Sequence, residues 1–225
     1  MIQLLPNNSI DCIYTDPPYL LKEGGIAKGM FGDRKTKLYS DILNDLTLAK
    51  GIDYSILDEF VRVMKHINIY LWCNKEQIYS YLKYFNNKNV LCEVLTWHKS
   101  NPTPLTNNCF LPDTEYCLYF REKGKVKLNQ GYHLKSKYYI SATNVKDKKL
   151  YQHPTIKPYE LVKKHILHST HENDIVLDAF SGSGTTCCVC KELGRRFMGF
   201  EINRKYHSIS VKRLNDTMYN VLNSI

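Results

Sequence analysis

Residues 15–19 (T-D-P-P-Y) place an acidic side chain, two prolines and a tyrosine directly after the apolar stretch 10–14. Proline fixes φ and lacks an N–H group, so Pro17 and Pro18 can continue neither a sheet ladder nor a helix interior. The residue before a proline is kept out of the helical region, which holds Asp16 extended. The pattern predicts a stiff segment at a strand end, with backbone carbonyls that have no local N–H partner. Taken alone, a rigid structural turn is the competing interpretation.

A second group of chemically suggestive residues is D-A-F-S-G-S-G-T-T at 178–186, between a predicted strand and a predicted helix. Gly182 and Gly184 let the backbone turn tightly and approach a ligand, and the helix start presents free N–H groups. Glu201 follows at the end of the next predicted strand, where a carboxylate can accept hydrogen bonds from ribose hydroxyls. These features predict a nucleoside cofactor. A dinucleotide is the alternative, although the G-x-G-x-x-G spacing is incomplete because residue 187 is cysteine.

The elements that must position these segments alternate between strands and helices. Apolar runs predict strands at 10–15, 67–73, 90–98, 115–121, 174–178 and 196–202. Helical spacing predicts helices at 56–64, 75–85, 157–171, 185–193 and 204–218, and the stretches 22–40 and 99–113 are predicted loops. Such alternation indicates an α/β fold with a mostly parallel sheet covered by helices on both faces.

Composition limits the class of protein. The 225 residues suit a single globular domain, and 43% hydrophobic and 24% charged residues are ordinary values. No apolar stretch is long enough to span a bilayer and no signal peptide is visible, which predicts a cytoplasmic protein without membrane contact. Cys187 and Cys190 form a C-x-x-C without a second pair at suitable spacing, so we expect buried thiols and no metal site.

The formal net charge of +9 is concentrated in one segment. Residues 121–150 hold nine lysine or arginine side chains against two acidic ones, with tyrosines interleaved. Phosphates attract lysine and bases stack on tyrosine, so this segment predicts a nucleic-acid partner; a solvated loop is the alternative. The predicted DNA contacts are Lys123, Lys125, Lys127, Lys135, Lys137, Tyr138 and Tyr139.

Four motifs in this order resemble those of S-adenosylmethionine-dependent DNA amino-methyltransferases of the permuted β group. They are T-D-P-P-Y at 15–19, H-P-T-I-K-P at 153–158, L-D-A-F-S-G-S-G-T-T at 177–186 and G-F-E-I at 199–202. The resemblance implies a Rossmann-like methyltransferase fold in one domain. Its catalytic region would be 1–103, a basic target-recognition insert 104–152 and the cofactor-binding region 153–225.

The resemblance also implies roles for individual residues. Asp16 and the Pro17 carbonyl would accept the two hydrogens of adenine's exocyclic amine, on a segment stiffened by Pro18, and Tyr19 would stack on a base flipped out of double-stranded DNA. We call residues 16–19 the clamp. S-adenosylmethionine would be bound by Asp178, Phe180, Ser181, Gly182, Ser183, Gly184, Thr185 and Glu201, with Thr155 and Lys157 near its carboxylate. The implied enzyme is a site-specific adenine-N6 methyltransferase of the restriction-modification type. Homodimers are common in this family, so the resemblance also implies a possible homodimer.

Three alternatives remain open at this point. Methylation of the cytosine N4 amine would use the same clamp, although D-P-P-Y favours adenine. Protein or RNA methyltransferases normally carry the cofactor motif before the catalytic one, and an idle DNA-binding subunit would be expected to lose Asp16 or Tyr19. Because few residues precede Leu4, we also expect the sheet to lack the strand that would lie beside 196–202, leaving the cofactor adenine more exposed.

Overall fold

The computed structural model describes residues 1–19, 51–104, 110–143, 145–151 and 155–222, with only the backbone described for 146–147 and 217–222. The predicted loop at 22–40, part of the loop at 99–113 and the first two residues of the H-P-T-I-K-P motif lie outside these residues.

Seven strands and six α-helices are found in the described residues, and six of the strands and five of the helices lie on predicted segments. The strands are β1 (Cys12–Thr15), β2 (Asn68–Cys73), β3 (Val90–Lys99), β4 (Thr114–Glu122), β5 (Tyr138–Ser141), β6 (Ile175–Asp178) and β7 (Arg196–Gly199). The helices are α1 (Ile56–Val63), α2 (Ile78–Phe85), α3 (Val145–Leu150), α4 (Tyr159–Ser169), α5 (Thr185–Glu192) and α6 (Arg204–Leu222). Short 3-10 helices occupy Ile2–Leu4 and Tyr132–Lys135.

All seven strands form one sheet in the order β5-β3-β4-β2-β1-β6-β7. The pairs β1–β2, β1–β6, β6–β7 and β3–β5 are parallel, and β4 runs antiparallel to both of its neighbours. The prediction of a mostly parallel α/β sheet is therefore confirmed. β5 and α3 were not predicted: both are short and lie inside the basic segment 121–150, where many lysines obscure any apolar pattern.

Helices cover both faces of this sheet, as predicted. Apolar residues of α1 and α2 pack on one face, in a core that includes Phe60 and Phe85. Those of α4 and α5 pack on the other, around Tyr70 and Trp72. Cys187, Cys188 and Cys190 on α5 are buried. The C-x-x-C pair thus contributes small side chains to the helix that supports the glycine turn.

The parallel register brings the two chemically suggestive segments to one edge of the sheet. Ile13 pairs with Leu177 and Asp178 with Gly199. β1, β2, β6 and β7 consequently end at the same edge, which we call the carboxyl edge. The antiparallel β4 begins there instead, because Cys73 pairs with Tyr116. Beyond β6, β7 pairs with no further strand within the described residues.

Candidate active site

The clamp leaves β1 at the carboxyl edge without regular secondary structure. Thr15 is fully buried, and its hydroxyl donates to Asp178 Oδ1 at 2.9 Å, which ties the end of β1 to the end of β6. The buried Gln77 side chain, just before α2, donates to the Pro18 carbonyl at 3.2 Å. Both ends of the three-residue segment Asp16–Pro18 are therefore fixed to the scaffold.

The two oxygens of the Asp16 carboxylate are in different situations. Oδ2 accepts a hydrogen bond from the Lys157 ammonium. Oδ1 is buried and has no hydrogen-bond partner among the described residues. Burial raises the pKa of Asp16, and the positive charge of Lys157 opposes that rise. An acceptor left buried without a donor is costly, so Oδ1 is the atom that a donor on a ligand would satisfy.

Lys157 lies at the centre of this region, with its side chain 8% exposed. Besides Asp16, its ammonium contacts Glu115 Oε2 at 3.0 Å and the Tyr19 hydroxyl at 3.3 Å. It also lies 4.8 Å from the centre of the Trp72 ring. The sequence interpretation placed Lys157 near the cofactor carboxylate; the structure places its ammonium against the clamp, although the residue also lines the cavity described below.

Glu115, which sequence reasoning missed, bridges two lysines. Its Oε1 lies 2.7 Å from Lys99 Nζ, and its Oε2 contacts Lys157. Although burial raises the pKa of this carboxyl, Lys157 and Lys99 lower it to about 2. The signal in the sequence is an acidic residue directly before the apolar run 116–120, which alone does not reveal a partner 42 residues away.

Asp178 ends β6 and is 5% exposed. Its Oδ1 accepts hydrogen bonds from the Thr15 hydroxyl at 2.9 Å and the Phe180 N–H at 3.2 Å. Burial outweighs these hydrogen bonds and raises its pKa to about 6. A buried carboxylate with a raised pKa favours a cationic ligand, because such a ligand stabilises the ionised form.

The glycine turn after β6 has the backbone that its sequence predicts. Gly182 and Gly184 have φ values of 49° and 78°. A Cβ on Gly184 would also lie 2.8 Å from the Ser210 Cβ of α6. The buried Arg213 of the same helix donates to the Thr185 hydroxyl at 2.8 Å, so α6 braces the start of α5.

Glu201 ties the loop after β7 to this turn. Its two carboxylate oxygens accept the N–H groups of Gly182 at 2.9 Å and Asn203 at 2.8 Å. Each oxygen retains a lone pair for a further donor such as a hydroxyl.

One cavity joins the clamp to the predicted cofactor residues. It is lined by the clamp residues Asp16 and Pro18. The predicted cofactor residues that line it are Thr155, Lys157, Asp178, Phe180, Ser181, Gly182, Ser183, Thr185 and Glu201. Gly184 is not in its wall and acts through the shape of the turn. Three carboxylates, an aromatic ring and a glycine turn that lets the backbone approach closely form a lining that fits a cationic nucleoside.

The predicted DNA contacts are spread more widely. Lys123 and Lys125 lie in the turn after β4, at the edge of the sheet opposite the clamp, and the exposed Lys127 follows that turn. Lys137 forms a 2.5 Å ion pair with Glu93, while Lys135 donates to Gln130. Tyr138 and Tyr139 begin β5, which runs towards the carboxyl edge. The structure therefore does not gather these residues around the clamp.

The clamp and the adjoining cavity both lie at the carboxyl ends of parallel strands. This fold and this site define a group-transfer enzyme of the Rossmann-like α/β class. The chain belongs to the DNA methylase family, whose sequence model matches residues 10–212. It is a DNA methyltransferase, and the resemblance drawn from the four motifs is confirmed. No helix among the described residues is long and apolar enough to cross a membrane.

Individual relatives agree with this assignment. The chain is 32% identical over 231 residues to the type II methyltransferase M2.DpnII of Streptococcus pneumoniae, covering 92% of this chain and 82% of that protein. The crystal structure of the M1.HpyAVI–SAM complex matches with a TM-score of 0.68 at 27% identity, covering 95% of this chain and 91% of that one. The structure of the cytosine-N4-specific PvuII DNA methyltransferase matches with a TM-score of 0.69 at 16% identity. The match covers 99% of this chain and 89% of that one and shows a shared fold.

Proposed function

We propose that this protein transfers a methyl group from S-adenosylmethionine to the N6 amine of adenine at specific sites in DNA, after the base leaves the duplex. The observation that carries the proposal is the shared cavity. Asp16, whose Oδ1 has no partner among the described residues, and Asp178 both line this cavity, and the hydrogen bond from Thr15 ties the start of the clamp to Asp178.

The clamp answers the chemical difficulty of the reaction. An exocyclic amine is a poor nucleophile because its lone pair is delocalised into the ring. Asp16 Oδ1 and the Pro17 carbonyl would accept its two hydrogens and localise the lone pair towards the cavity. Since Lys157 holds Asp16 and Gln77 holds Pro18, next to Pro17, both acceptors are positioned beforehand, and the acceleration comes from orientation and preorganised electrostatics.

The cofactor side of the cavity supports the same chemistry. S-adenosylmethionine supplies a methyl group bonded to a positively charged sulfur. Asp178 and the turn at Phe180–Gly184 would hold its methionine part, and Glu201 would accept its ribose hydroxyls. The cofactor would supply the methyl group and leave as a neutral thioether, and Asp16 would accept the proton that the amine loses and release it to water.

Adenine is favoured over cytosine by the aspartate of the clamp. Tyr19 would stack on the extruded base and offset part of the cost of about a few kcal/mol for leaving the duplex. The second candidate is methylation of cytosine N4, whose amine is equally delocalised. Because a cytosine-N4 enzyme has the same fold, the fold alone does not distinguish the two target bases.

Target recognition by 104–152 and homodimer formation remain predictions.

The test is to identify the methylated nucleoside. The protein is incubated with methyl-labelled S-adenosylmethionine and unmethylated DNA, and the DNA is digested to nucleosides for mass spectrometry. We expect N6-methyladenine, and sequencing of modified bases then gives the recognition site. N4-methylcytosine would select the second candidate. Label in RNA or protein, but not in DNA, would contradict the proposal.

A further inference from the structure

Four charged side chains alternate in sign from β3 to the clamp. Lys99 contacts Glu115 at 2.7 Å, Glu115 contacts Lys157 at 3.0 Å, and Lys157 contacts Asp16. Their side chains are between 8% and 24% exposed, so this row lies in a partly desolvated region. Two ammonium groups balance two carboxylates, which matters because an uncompensated buried charge is strongly destabilising.

The position of Lys157 decides what Asp16 can do. The ammonium has three hydrogens, and they meet Asp16 Oδ2, Glu115 Oε2 and the Tyr19 hydroxyl. With Glu115 as its second anionic partner, the ammonium contacts one oxygen of Asp16, and Oδ1 has no hydrogen-bond partner among the described residues. Without Glu115, the clamp carboxylate would be its only anionic partner in the row. The ammonium could then bridge both Asp16 oxygens and compete with a substrate amine.

We infer that Glu115 is a positioning residue for the methyl transfer: by anchoring Lys157 it keeps the ammonium on one oxygen of Asp16 and leaves the other oxygen open to the substrate amine. The role of Glu115 in catalysis rests on the proposed function. The electrostatic interaction of Glu115 and Lys157 with Asp16 does not depend on it. Glu115 belongs to β4 and to none of the four motifs, so β4 also contributes a residue that positions the site.

The charges around Asp16 determine the direction in which its pKa shifts when one of them is removed, and this direction can be measured. The titratable or charged groups of the described residues that interact with it or lie within this region are Lys157, Glu115, Tyr19, Lys99, Lys148, Cys73, Asp178, Tyr14, Tyr81 and Cys117. Lys157 lowers the pKa of Asp16, and Glu115 raises it. Removing Lys157 or Glu115 must therefore move this pKa in opposite directions, whereas general loosening of the structure would not produce opposite signs.

The experiment is a pH titration of the Asp16 carboxyl carbon by ¹³C NMR in cofactor-free protein. We expect Lys157→Met to raise the pKa of Asp16 by about 1–3, the effect of losing an adjacent opposite charge, and Glu115→Gln to lower it. The pair Lys163–Glu192, which is joined at 2.6 Å on α4 and α5, provides the matched controls Lys163→Met and Glu192→Gln. If Lys157→Met does not fold, Lys99→Met should still raise the pKa of Asp16, by less.

Kinetics complete the test. Glu115→Gln should lower kcat by about 10- to 100-fold, as misplacement of a reacting group does, while the KM for S-adenosylmethionine stays within about twofold because the cofactor residues are untouched. Shifts of the same sign in Lys157→Met and Glu115→Gln, or no shift in either, would overturn the inference. The titration needs neither cofactor nor DNA, so its failure is distinct from a failure of the parent protein to methylate DNA.

Discussion

Replacement of Asp178 by asparagine should make the cofactor-free protein more stable at neutral pH while weakening cofactor binding. Asp178 is 5% exposed, and burial raises its pKa from the ordinary 3.8 to about 6. The folded state therefore prefers the protonated carboxyl. At about 1.36 kcal/mol per pKa unit, a rise of about 2 corresponds to about 3 kcal/mol.

The sign follows from linkage. Because the pKa is raised on folding, the stability that Asp178 contributes is fully present below pH 3.8 and is lost as the pH rises through about 6. Asparagine has the shape of the protonated acid and no such dependence. The stability of Asp178→Asn relative to the parent should thus increase by about 2–3 kcal/mol between pH 4 and pH 7.

Urea unfolding of both proteins across this pH range, without cofactor, measures the difference directly. Glu172→Gln, in the exposed turn before β6, is the charge-matched control. Calorimetry should show weaker S-adenosylmethionine binding to Asp178→Asn at pH 7.5, and weaker binding to the parent as the pH falls below about 6. A stability difference that stays constant with pH, or falls, would refute the reasoning.

Three further predictions concern the base, the glycine turn and the basic segment. Tyr19→Ala should weaken binding to DNA with a mismatched target base by about 1–3 kcal/mol; an equal loss on duplexes without the target base would argue against stacking. Gly184→Ala should destabilise the fold by more than Gly124→Ala does. Both glycines have φ above 70°, but an added Cβ would lie 2.8 Å from α6 at Gly184 and would meet nothing within 4 Å at Gly124; equal melting temperatures would contradict this. Neutralising Lys123 and Lys125 should reduce the slope of log K against log salt by about 0.9 per phosphate contact; an unchanged slope would remove them from the DNA interface.

Local patterns predicted the parts of the site that depend on neighbouring residues. The clamp and the glycine turn each follow an apolar strand, and proline or glycine dictates the backbone there. Parallel pairing then brings the two strand ends together. The individual cofactor residues were named from the resemblance to the methyltransferase family, and nine of those ten line the cavity.

Long-range pairing determined what the sequence could not show. Glu115 meets Lys157 only because the antiparallel β4 begins at the carboxyl edge, and nothing local to either residue indicates that pairing. The same reversal sends Lys123 to the opposite edge of the sheet, although charge alone grouped it with the DNA contacts. β5 forms through its pairing with β3, not through an apolar pattern of its own.

The central claim is that Asp16 activates a DNA amine for methylation by the adjoining cofactor. Its most direct test is the rate of label transfer from methyl-labelled S-adenosylmethionine to DNA by the parent and by Asp16→Ala, with cofactor affinity measured on both by calorimetry. We predict N6-methyladenine with the parent, a rate at least about 100-fold lower with the variant, and cofactor affinities within about twofold. Turnover by Asp16→Ala within about tenfold of the parent, or no transfer to DNA by the parent, would contradict the account.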